Sequence, residues 1–126
     1  MPMPPYLLVI EPDFRTLKQL RVLLQGQRHT VRTADSAVDA LVMLAGSRPA
    51  LVIVDLALTD AEGRPFVQRI RDSHDLADLP IIALAEPTLA CTDGRVAGCT
   101  AVVTRPIDPE PLAGLVRRLL DEADGR

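Results

Sequence analysis

Two hydrophobic rhythms alternate along this chain. Short apolar runs recur at Leu7-Leu8-Val9-Ile10, Leu51-Val52-Ile53-Val54, Pro80-Ile81-Ile82-Ala83-Leu84 and Ala101-Val102-Val103-Thr104. Runs of this length, apolar on both alternate positions, suit strands of a parallel sheet covered on both faces. A weaker run from His29 to Thr33 reads as a half-buried edge strand. Between the runs the period lengthens to that of helices. Phe14, Leu17, Leu20, Leu23 and Leu24 share one helical face, with Asp13 as N-cap and Gly26 as the stop. A second helix is predicted from about Ser36 to Leu44, and a short third from about Arg64 to Asp72. Asp108-Pro109-Glu110-Pro111 is an acidic cap followed by prolines in a first turn. It opens a last helix whose Leu112, Leu115, Val116, Leu119 and Leu120 face one way. The stretch from Glu86 to Ala97 has the poorest pattern, interrupted by Pro87 and Gly94.

The resulting order, βαβαβαβαβα, predicts an α/β fold. Right-handed crossovers place helices on both faces of a five-stranded parallel sheet. The working site of such a doubly wound sheet lies beyond the carboxyl ends of its strands. Those ends carry Glu11-Pro12-Asp13, Asp55, Ala85-Glu86 and Arg105-Pro106. With strand order 2-1-3-4-5, Glu11 and Asp55 face each other across one crevice. Two carboxylates that close repel unless a cation intervenes. Mg²⁺ suits one or two carboxylates plus phosphate oxygens and water, and Arg105 faces the same crevice.

Composition narrows the alternatives. The 126 residues fit one domain, divided here into a lead-in over 1–5, a core unit over 6–122 and a tail over 123–126. A net charge of -3 argues against nucleic acid as partner, because phosphate backbones demand a basic face. No apolar segment is long enough to cross a membrane, and the start lacks an export signal, so a cytoplasmic location is expected. Cys91 and Cys99, eight apart, match no metal or redox spacing. The arginines at 69, 71, 117 and 118 read as solvated helix faces, with a partner-facing surface as the alternative. A nucleotide-binding enzyme on this architecture would need glycine or hydroxyl residues after strand 1. Glu11-Pro12-Asp13-Phe14 is acidic, bulky and free of glycine, so no enzymatic activity is expected.

Six segments in order carry a family resemblance: Leu7 to Glu11, Leu51 to Leu56, Thr59-Asp60-Ala61-Glu62-Gly63, Leu79 to Leu84, Gly98-Cys99 and Thr104-Arg105-Pro106-Ile107. From Tyr6 to about Leu120 the chain resembles the receiver domain of two-component response regulators, a flavodoxin-like (βα)5 fold. The resemblance implies phosphotransfer from a histidine kinase or phosphorelay protein to Asp55. It implies Mg²⁺ held by an acidic pair and that aspartate, and a cis peptide before Pro106. It also implies a signal passed to an output protein on the surface of the fourth helix, fifth strand and fifth helix.

Four positions depart from the family pattern. Pro12 stands where the second acidic residue belongs, leaving Glu11, Asp55 and the Ala57 carbonyl, with Asp13 as a further candidate, for a metal site that is expected to be weak or lost. Ala85 replaces the hydroxyl residue after strand 4. Arg105 replaces the family lysine in a chain whose one lysine is Lys18. Val102 occupies the aromatic switch position. The expectation is therefore a receiver with weakened Mg²⁺-dependent phosphorylation and switching. The alternative is a phosphorylation-independent scaffold, and in either case the chain is a monomer or weak homodimer.

Overall fold

A computed structural model describes residues 5–87 and 98–124. Five strands, β1 (Leu7–Ile10), β2 (Val31–Ala34), β3 (Leu51–Asp55), β4 (Ile81–Ala85) and β5 (Ala101–Thr104), form one parallel sheet in the order β2-β1-β3-β4-β5. The helices are α1 (Phe14–Gly26), α2 (Ala37–Gly46), α3 (Phe66–Arg71) and α4 (Pro109–Asp124), with a 3-10 turn at His74–Leu76. The fourth helix expected between Glu86 and Ala97 has not begun at Glu86 or Pro87, and the rest of that stretch, 88–97 with Cys91 and Gly94, lies outside the described residues.

Alternation along the strands divides the core in two. Leu8, Ile10, Val52, Val54, Ile81 and Ala83 pack on the side of Ala37, Ala40, Phe66, Val67 and Ile70, from α2 and α3. Leu7, Val9, Leu51, Ile53, Ile82 and Leu84 pack on the other side, against Leu20 and Leu24 of α1 and Leu112, Val116 and Leu119 of α4. Successive strand residues point to opposite faces, so apolar runs without polar alternation are what two covered faces require. β1, β3 and β4 are buried almost throughout. β2 and β5 are the edges and are only partly buried. For β5 this corrects the expectation of a buried strand, because an edge strand has a neighbour on one side only.

The caps explain where the helices begin. Asp13 accepts from the Thr16 amide at 3.0 Å and from its hydroxyl at 2.7 Å, as expected of an N-cap. Ser36 accepts from the Asp39 amide at 3.2 Å, so α2 begins one residue later than predicted. At the end of α1 the left-handed residue is Arg28, with φ of 70°, and not Gly26, which closes the helix in ordinary conformation. The chain is still satisfying α1 carbonyls at His29, whose amide donates to Leu24 at 3.1 Å. That is why β2 starts at Val31 and not at His29.

α3 starts at Phe66, two residues later than expected, because the loop before it is structured. Thr59 and Pro65 form an antiparallel bridge, and Gly63 turns with φ of 83°. The buried Asp60 carboxylate accepts from the Glu62 and Arg64 amides and from Arg64 Nε. Arg71 also departs from its expected role as a solvated cation. Its guanidinium donates to the carbonyls of Gly98, Leu76 and Ala77. It thereby ties α3 to the approach to β5. Arg69, Arg117 and Arg118 are exposed as expected.

Candidate functional site

The alternation that sorts the core also aims the site. β1 and β3 run in register, Leu7 with Leu51 and Val9 with Ile53, so the next same-face pair is Glu11 with Asp55. Asp55 aligns with Leu84 on β4, and Leu84 with Val103 on β5. Arg105, two residues past Val103, returns to the same face. Backbone bonds continue the ladder through these ends. The Glu11 amide donates to Ala34 at 3.0 Å, the Leu56 amide to Leu84 at 2.8 Å, and the Arg105 amide to Ala85 at 2.9 Å.

The three charged side chains meet. Arg105 Nη2 donates to Glu11 Oε1, and the same nitrogen lies 3.8 Å from Asp55 Oδ2. Arg105 Nε approaches Glu86 Oε1 at 3.5 Å. Glu11 is buried, at 2% exposure, whereas the Asp55 side chain retains 22% and opens to solvent. Burial works to lower the pKa of Arg105, but the bond from Glu11, its charge, and those of Asp55 and Glu86 outweigh it and hold the group above the usual arginine range. Asp13 is held below the usual carboxylate range, chiefly by the Thr16 hydroxyl.

The remaining candidates fall as follows. The Ala57 amide donates to Asp55 Oδ1 at 3.0 Å, closing a tight turn after β3. Ala85 is buried at the end of β4, and Val102 packs half-buried on the α2–α3 side. The Arg105-Pro106 peptide is cis, as the resemblance implied. Glu86 is the site member that the sequence did not single out. Its signal was its position one residue past a strand end that faces Arg105.

A model of the response regulator receiver domain matches residues 7–117, nearly the whole described fold and every charged group at this rim. The chain belongs to the response regulator receiver domain family. Among characterised relatives it is 33% identical over 92 residues to the response regulator Rre1 of Synechocystis, covering 71% of this chain and 40% of that protein. It is 24% identical to the polar-differentiation response regulator DivK of Brucella anthropi, over 96% of this chain and all of that one. It therefore spans the whole of one relative and less than half of the other. A CheY-like receiver from Methanospirillum hungatei superposes with a TM-score of 0.81 over 98% of both chains at 19% identity, which shows the fold. A response regulator from Chloroflexus aurantiacus gives 0.77 at 27% identity, over 93% of this chain and 98% of that one.

Receiver domains are signalling modules that work with histidine kinases or phosphotransfer proteins and with output domains, and they typically use Mg²⁺ in phosphorylation. The donors of this receiver do not fit a divalent ion. Glu11 Oε1 is bound by Arg105, and Glu11 Oε2 accepts from the Asp13 amide at 3.1 Å. Pro12 offers no side-chain oxygen, and Asp13 Oδ2 caps α1. Among the described residues no cluster of three or more acidic, histidine or cysteine groups is arranged to hold a metal. Nor is any described helix long and apolar enough to cross a membrane.

Proposed function

We propose that this receiver accepts a phosphoryl group on Asp55 from a phosphohistidine of a kinase or phosphotransfer protein, with metal dependence and switching weakened or lost. The observation that carries this is the state of the Asp55 carboxylate. One oxygen is fixed by the Ala57 amide, while Oδ2 stands at an open rim, facing a guanidinium at 3.8 Å. In the transfer, Asp55 Oδ2 attacks phosphorus and the P–N bond to the imidazole breaks. The leaving nitrogen keeps the electron pair and takes up a proton, and the product is an aspartyl phosphate. Arg105 supplies positive charge where the equatorial oxygens gather negative charge, the kind of electrostatic help that dominates phosphoryl transfer.

Weak switching follows from Ala85 and Val102. A hydrogen bond to a charged group is worth about 1.5–3 kcal/mol. Allosteric coupling is typically about 1–3 kcal/mol. Alanine at position 85 offers no hydroxyl for such a bond, so most of the drive for a conformational change is missing. Residues 6–122 act as one unit, as a monomer or weak homodimer in the cytoplasm. It signals to its output partner through α4, β5 and the segment between β4 and β5.

A second reading, a scaffold that binds its partner without phosphate, is favoured by Pro12, Ala85 and Val102 together. Incubation with acetyl phosphate followed by intact-protein mass spectrometry separates the two. Wild type is expected to gain one phosphoryl group and Asp55→Asn none. A wild-type protein that takes up no phosphoryl group from acetyl phosphate or a kinase defeats the first reading. Loss of partner binding in Asp55→Asn counts against the second.

A further inference from the structure

Glu11 and Asp55 project from adjacent parallel strands onto one face, and carboxylates so placed need positive charge between them. Here that charge belongs to the chain itself. A single atom, Arg105 Nη2, bonds Glu11 Oε1 and lies 3.8 Å from Asp55 Oδ2. Nε of the same guanidinium is drawn toward Glu86 at 3.5 Å, so the group is held from three sides. A divalent ion shared by Glu11 and Asp55 would have to displace Nη2, and a Glu11 carboxylate at 2% exposure has little water to replace it with. Mg²⁺ also demands near-octahedral oxygen donors at about 2.0–2.1 Å. Both Glu11 oxygens, Asp55 Oδ1 and Asp13 Oδ2 already accept from Arg105, the Asp13 and Ala57 amides and the α1 cap, which leaves Asp55 Oδ2 open at the rim without a neighbouring carboxylate oxygen to complete a shared site. A guanidinium is always charged, weakly hydrated and planar, and tolerates this half-buried position better than a hydrated ion.

We infer that the Arg105 guanidinium is the resident cation of this crevice: it occupies the place between Glu11 and Asp55 that a metal would need, and Asp55 receives its oxyanionic group without one. The exclusion of metal stands on the geometry alone. The metal-free acceptance of phosphoryl rests on the function proposed above.

Two measurements on the full chain test the two parts separately. Mn²⁺, a paramagnetic probe of Mg²⁺ sites, is titrated while backbone amides are followed by NMR. Wild type is expected to show no selective broadening at residues 55–57, whereas Arg105→Gln gains it. Arg105→Lys, with a compact ammonium in place of the planar fork, serves if the neutral variant does not fold, and is expected to gain broadening as well. Selective broadening in wild type overturns the inference, and so does a folded variant that stays as silent as wild type. In the second measurement, phosphorylation by acetyl phosphate is timed in Mg²⁺ and in EDTA, and equal rates are expected. Phosphorylation that EDTA abolishes overturns the inference. Absence of phosphorylation in both buffers removes the acceptor role of Asp55 and its metal-free chemistry, while the Mn²⁺ titration still decides what the resident cation is.

Discussion

Removing the Arg105 guanidinium leaves the Glu11 carboxylate buried without its charge partner. Losing one member of a buried pair is costly because the other charge stays desolvated. Arg105 keeps 20% exposure, so the lower part of the usual range applies, and Arg105→Ala is expected to destabilise by about 3 kcal/mol. Combining it with Glu11→Gln should recover part of that loss, since the orphaned charge is then gone. Urea denaturation of the two single variants and the double variant reads the coupling directly. Additive losses would mean that the pair is not coupled in solution. The same residues show what sequence could convey at this scale. Acidic and basic groups at strand ends announced a charged rim, but Glu11 and Arg105 are 94 residues apart and their bond has no local signature. Arg71 was misread partly for the same reason: its Gly98 carbonyl partner lies 27 residues away, while the Leu76 and Ala77 carbonyls, five and six residues on, lie past the end of α3 where the helical period gives no signal.

The loop between β3 and α3 holds a carboxylate whose ionised form favours the fold. Burial works to raise the pKa of Asp60, but the Arg64 amide and guanidinium and the Glu62 amide outweigh it, and the group is held below the usual carboxylate range. A depressed folded-state value means that the ionised form favours the native state. The stabilisation is present above the unfolded value of about 3.9 and is lost as pH falls through the folded one. Asp60→Asn is therefore expected to lower the urea midpoint at pH 7 and to flatten its decline on acidification below about pH 4. A decline as steep as that of wild type would show that Asp60 does not drive the acid response. Asp13, depressed by Thr16, adds to the slope in the same direction. At this scale the sequence was legible where a cap could be read from neighbouring residues, as at Asp13. It was less so where a bridge between Thr59 and Pro65 delayed a helix.

Across the molecule, β3 is the central strand of the sheet, paired on both edges and covered on both faces. Ile53 is fully buried against the α1–α4 layer. Ile53→Ala is expected to cost about 2–5 kcal/mol, with the cavity term setting where in that range it falls. Thermal or urea unfolding measures it, and a loss below about 1 kcal/mol would mean that the site collapses around the smaller side chain. Burial, helix faces and strand runs follow from periods of two and 3.6 residues, which neighbouring residues write into the chain. By itself, then, the amino-acid order determined the layered parallel architecture and placed Glu11, Asp55 and Arg105 at the carboxyl rim. Tertiary structure decided which of those charges bond. Register made Glu11 and Asp55 partners on one face, and the path of β5 carried a guanidinium between them. Charge pairing is a matter of distances between segments remote in sequence, and no local period encodes it.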